Sequence, residues 1–175
     1  MLKVCVTLVF GVLLSGASMR EIKRPEVPDN LKATAGEEVV LQTHATGVQV
    51  YGCQAGADGK TVWTLKRPEA ELFDAHGKKI GQHGAGPSWK HNDGSEVTGK
   101  MAAKADAPSA DSIPWLLVNV INRSGSGVLS RVTTIQRIHT QGGQSPSAAD
   151  CNGSSANSEV KIKYSADYYF YAPKE

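Results

Sequence analysis

Charge of one sign, cysteine, sustained helical patterning and catalytic signatures are all scarce in this chain. Its 175 residues carry 19 Lys and Arg against 17 Asp and Glu. They contain no dense basic run and no interleaving of aromatic with basic residues. Composition therefore gives no ground for nucleic-acid binding or for an anionic membrane surface. No stretch of Ala, Glu, Lys, Leu and Arg runs on for long, which argues against a helical bundle. After Leu14 no apolar run approaches the roughly 20 residues of a membrane-crossing helix, so no membrane anchor is expected. No fixed-period repeat is visible, which excludes a propeller or solenoid. H-E-x-x-H, paired C-x-x-C, the G-x-S-x-G elbow and the P-loop are absent. Gly84-Ala85-Gly86 sits in a Pro-containing segment, without the strand and helix that a dinucleotide fingerprint needs. No catalytic residue can be named on these grounds.

The first 17 residues read differently from the rest. Lys3 precedes the apolar run from Val4 to Leu14, and Ser15, Gly16 and Ala17 follow. Positive charge, short apolar run and small residues, in that order, are the pattern of a secretory signal peptide cut after about Ala17. The expected product is soluble and exported, periplasmic or extracellular. Removing Lys3 leaves 18 basic and 17 acidic residues, a net charge of +1.

Export changes the meaning of the three cysteines. Cys5 leaves with the signal, and Cys53 and Cys151 remain as an even pair in an oxidising compartment. Bridged, they would close a loop worth about 4–5 kcal/mol of chain entropy.

Residues 18–36 are charged and hold Pro25 and Pro28, and read as an extended lead-in. A single β-rich domain is expected over 37–175. The 18 Gly and 8 Pro suit many turns between short elements. Runs 38–44, 48–53, 61–66 and 70–74 read as separate short strands, the second and third joined through Ala57-Asp58-Gly59-Lys60. A second Asp-Gly turn falls at Asp93-Gly94 in the Gly-rich segment 81–100. Residues 101–111 read as a loop or one helical turn. Runs 113–121 and 128–138 read as strands. In 160–171, Ile162, Tyr164, Ala166, Tyr168 and Phe170 share one face, opposite Lys161, Lys163, Ser165 and Asp167. The pattern predicts an all-β sandwich or barrel.

Five residues form the candidate ligand-binding set: His83, Trp89, Asp93, Ser95 and Arg137. Trp89, beside Pro87 in a Gly-rich stretch, is expected to stand exposed on a loop from His83 to Ser95 and to anchor a ligand by stacking. Trp63, Trp115, Tyr51, Tyr164, Tyr168, Tyr169 and Tyr171 are further groove candidates, with Trp115 read as core. Arg137 stands in an otherwise apolar run, so it must face water or find an anion. Asp93 or Asp167 would give a structural ion pair, the expected outcome, and a carboxylate ligand would give a binding site. His76, His83, His91 and Asp93 lie close enough in sequence for a divalent-metal site, without matching any known ligand spacing. Asn122-Arg123-Ser124 and Asn152-Gly153-Ser154 are glycosylation sequons.

The chain also resembles a family of exported bacterial and fungal proteins, the domain of unknown function 3455 family. The resemblance rests on VYGC at 50–53, the TVW…PEAELFD…GKKIGQH run at 61–83 and AGPSWKHNDGSEVTGK at 85–100. IPWLLV at 113–118, VTTIQR…TQGG at 132–143, the Cys151 segment and YSADYYFY at 164–171 complete it. It implies one extracytoplasmic domain and carries no catalytic residue over. The expected function is non-catalytic binding of a ligand or extracytoplasmic partner, or an envelope role, with no cofactor. The alternative is a metal-assisted hydrolase built on the histidine set.

Overall fold

The computed structural model describes residues 22–55, 59–152 and 155–175. The segment expected to be a signal peptide, Ala57 and Asp58 of the expected hairpin turn, and Gly153 and Ser154 of the second sequon lie outside them. Eight antiparallel strands follow in chain order: β1 (Glu37–Ala55), β2 (Thr61–Phe73), β3 (Lys79–Gly84), β4 (Ser88–His91), β5 (Glu96–Ala105), β6 (Trp115–Ser124), β7 (Thr134–Gly142) and β8 (Glu159–Pro173). Each pairs with the next, and β8 returns to β1, closing the sheet into a barrel. An eight-stranded barrel is just wide enough to be filled by side chains or to hold one small ligand.

β8 shows why these residues make this wall. Tyr164, Ala166, Tyr168 and Phe170 point into the barrel core, at most 4% exposed, while Lys161 and Lys163 face water. The period of two expected from the sequence is the period observed. β8 runs along β1 from Glu37↔Pro173 to Gly52↔Glu159, the longest ladder in the sheet.

Elsewhere the elements depart from expectation. Runs 38–44 and 48–53 form one strand, because Gly47 does not turn the chain. It lets β2 come close: a Cβ there would lie 2.2 Å from the Glu69 carbonyl oxygen. Runs 61–66 and 70–74 also merge, with Pro68 inside β2 just before β3 begins to pair at Ala70. Residues 101–105 are strand, not loop. Their low β-propensity is overridden by pairing with β6, from Met101↔Val118 to Ala105↔Trp115. Conversely, Val128 to Val132 turn, and β7 starts only at Thr134.

The lead-in is more than a spacer. It packs on the outer face of β7 and β8 and buries Leu31 completely. Gln136 Nε2 donates to the Leu31 carbonyl (2.6 Å) and Gln136 Oε1 accepts from the Tyr171 hydroxyl (2.5 Å). Arg24 lies over the Tyr171 ring, 5.2 Å from its centre, and donates to the carbonyls of Ala33 and Thr34. Burial alone would raise the Glu37 carboxyl, but hydrogen bonds from Thr133, Thr134 and Thr34 outweigh it and hold the group below its usual range. Tyr171→Phe leaves the buried Gln136 oxygen without its donor. It is expected to cost about 1–2 kcal/mol in urea unfolding; an unchanged midpoint would mean that the lead-in is held by apolar contact alone.

Candidate functional site

The barrel wall has a gap. β3 meets β2 only from Ala70 to Phe73, and β4 meets β5 only from Ser88↔Thr98 to Lys90↔Glu96. Residues 61–69 of β2 and 100–105 of β5 therefore have a strand neighbour on one side only. Between them opens a cavity of about 340 Å³. Leu65, Pro68, Pro87 and Met101 rim it, and Trp89, Leu116, Val118 and Tyr168 form its depth. Leu65 and Met101 are 49% and 54% exposed, among the few large apolar side chains left open to solvent.

Trp89 belongs to this interior. It is 2% exposed, on the inward face of β4, not on an exposed loop. Its Gly- and Pro-rich neighbours resemble loop, yet they make a tight hairpin that delivers a four-residue strand. Gly99 across from it makes room: a Cβ there would lie 2.4 Å from Val118 Cγ1 and 3.3 Å from the indole.

His83 lies face to face with Trp89, ring centres 4.5 Å apart and 12° from parallel. Tyr168 meets it edge-on at 5.1 Å. Its Nδ1 donates to the Ser88 carbonyl oxygen at 2.8 Å. Burial drives its pKa down to about 4, and the Arg137 charge adds to the effect while the Ser88 carbonyl opposes it. The ring is neutral across the physiological range.

Arg137 is the exceptional group. It projects into the same cavity, donates one NH2 bond to the Pro114 carbonyl oxygen (2.8 Å), and has a buried Nε with no protein partner. The ion pairs expected for it do not form. The Asp167 carboxylate is held on the outer face by His44 (2.8 Å) and His139 (2.9 Å). Asp93 accepts from Ser95 and from the Val128 N–H (2.8 Å) in the β4–β5 turn. Lys66, Arg67 and Arg137 line the cavity, and among the described residues no carboxylate does. Arg67 is met at the rim by Glu69 (2.9 Å) and Glu159 (3.2 Å). Around Arg137, both amide atoms of Gln49 and the hydroxyls of Tyr164 and Tyr168 are buried without a hydrogen bond of ordinary geometry. Burial raises both tyrosine pKa values, while the Arg137 charge pulls the other way.

Three of the five candidate ligand residues, His83, Trp89 and Arg137, are thus brought together, and Asp93 and Ser95 are not. Those two tie down the following loop: the Ser95 hydroxyl donates to Asp93 and accepts from the Leu129 N–H. Hydrogen bonds from Ser95 and Val128 overcome desolvation and keep the Asp93 carboxyl far below its usual range. The histidine set does not converge. His76 lies in the turn formed around Asp74, His83 faces the cavity, and His91 Nδ1 sits 3.0 Å from Asp93. Among the described residues no three His, Cys, Asp or Glu side chains are placed to share a metal ion. Gln49 was not singled out from the sequence. Its signal was there: it shares the alternation phase of Tyr51 and Cys53, both buried.

Comparison with known proteins adds a family and no more. No curated protein and no solved structure matches the chain. A family model does match, over residues 34–172, from the end of the lead-in through nearly all of β8, and by that match the chain belongs to the family described as Protein of unknown function (DUF3455).

Proposed function

We propose that the barrel is a binding module for a small organic carboxylate, held with its anion against Arg137 and its apolar body against Trp89, Leu116 and Val118. One observation carries this reading. Arg137 is a cation inside a mostly apolar cavity with no carboxylate facing it among the described residues. A charge partly withdrawn from water is ordinarily paired. The unpartnered amide of Gln49 and the indole N–H of Trp89 fit the same occupant. The disulfide, 98 residues apart in sequence, supports an exported protein working in an oxidising compartment.

Titration calorimetry with benzoate, phenylacetate and hexanoate tests this against benzamide and hexanamide, which match their acids in shape and lack the charge. Acids should bind and amides should not. Arg137→Met should weaken the acids at least about 30-fold. The same variant should be no less stable than the parent, since an apolar side chain of similar length replaces an uncompensated charge. Equal binding of acid and amide, or retained affinity in the variant, would sink the proposal.

A further inference from the structure

The cavity holds a second constraint on its occupant, which rests on the reading above. A carbonyl oxygen only accepts hydrogen bonds, so the Ser88 contact obliges His83 Nδ1 to carry the ring's proton. In a neutral imidazole the other nitrogen is then a bare acceptor. Among the described residues the Nδ1 bond to Ser88 is the one hydrogen bond that the His83 ring makes, and the residue is only 4% exposed and lines the cavity. The ring has no freedom to reverse these roles. It is clamped face-on by Trp89 and edge-on by Tyr168; moving the proton to Nε2 would set the Nδ1 lone pair against the Ser88 carbonyl, and turning the ring over would put a C–H there in place of the donor.

The remaining groups in the cavity sort by polarity. Arg137 and Trp89 Nε1 only donate, Tyr168 and Gln49 can do either, and His83 Nε2 only accepts. A plain carboxylate satisfies the donors and offers nothing to His83 Nε2. We infer that the ligand is a carboxylate that also bears a hydroxyl or N–H group, which donates to His83 Nε2. A buried site built to receive a donor discriminates strongly against an analogue lacking it, because the protein acceptor is then left unpaired.

The test uses the full chain and three families of probe: benzoate, the three hydroxybenzoates, and the corresponding methoxybenzoates. At least one hydroxybenzoate should bind about ten-fold or more tightly than benzoate. Its methoxy counterpart, which cannot donate, should lose that gain. His83→Phe keeps an aromatic ring against Trp89 and removes the acceptor. In that variant the hydroxyl preference should disappear, each hydroxybenzoate then binding no more tightly than its methoxy counterpart. Imidazole 15N spectra of the parent give a readout that does not depend on the variant folding: the Nε2 resonance should be of the unprotonated type and shift on adding the preferred hydroxybenzoate. Benzoate binding as tightly as every hydroxybenzoate, or an unmoved Nε2 resonance, overturns the inference and leaves carboxylate binding standing. Failure of all the acids removes both readings.

Discussion

Replacing both cysteines, Cys53→Ser together with Cys151→Ser, is expected to lower the unfolding free energy by about 4 kcal/mol. The bridge joins residues 98 apart, with Cα atoms 5.4 Å from each other, so opening it frees a loop that spans most of the barrel. Both sulfurs are buried, yet what the bridge holds locally is modest. Cys151 ends one turn of 3-10 helix (Ala148–Asp150) in a polar loop. That loop also meets the β1–β2 hairpin through Thr61, which donates to the Cys151 carbonyl (2.5 Å), and Trp63, which donates to the Ser147 carbonyl (3.2 Å). The loss should therefore arise chiefly in the unfolded ensemble, which becomes larger and more solvated without the cross-link. Urea unfolding should show this twice, as a lower midpoint and as a steeper dependence on denaturant. A loss under about 1 kcal/mol with unchanged slope would mean that the unfolded chain stays compact without the bridge.

The disulfide and the β8 face were legible in the sequence because each follows from a rule with one outcome: paired thiols in an oxidising setting, and alternation along a half-buried strand. Closure into a barrel was legible only as one of two options, since strand patterning is the same in a sandwich. Strand ends were misplaced wherever a residue type has two uses. Gly47 and Pro68 are turn formers by type, yet here one admits a close backbone approach and the other sits in a stretch with a strand neighbour on one side only. Arg137 shows the same limit at the candidate site. The sequence states that a charge interrupts an apolar run, and it even names Asp93 and Asp167 as partners. Only the fold shows those carboxylates committed elsewhere, one to Ser95 and Val128 and the other to two histidines. Gln49 was missed because its signal, the phase it shares with Tyr51 and Cys53, singles it out only once that phase is known to face inward.

Acid should destabilise the protein well before its carboxylates titrate, and His83 is the cause. Its folded pKa of about 4 lies below the value of 6.5 for an unhindered histidine. Between those values the unfolded chain takes up a proton that the folded chain refuses, so stability falls as pH falls. Its contribution is fully present above about pH 6.5 and is withdrawn through the window down to about pH 4, to a total of about 3 kcal/mol. Among the described residues no acidic group lines the Arg137 cavity to offset this, and Glu69, Glu71 and Glu96 line the wider cavity that His83 also borders. From β7 comes the Arg137 cation, from β8 the neutral Tyr168, and from β2 at the rim Lys66 and Arg67. Asp93 and Glu37 work in the same direction but lower. Their carboxyls are depressed in the fold, so their contribution is present above the ordinary carboxylate range and lost below about pH 4. Urea melts at about pH 7 and about pH 4.5 therefore isolate the histidine, and His83→Phe should flatten the difference between them. An equal loss in parent and variant would place the acid sensitivity elsewhere. An arginine in a mostly apolar cavity, with no carboxylate facing it among the described residues, costs the fold stability, and the histidine beside it makes the fold sensitive to acid; neither is needed to close a barrel. Groups held at such a cost in one place fit a site kept for an occupant, and the carboxylate that pairs Arg137 would recover part of that cost when it binds.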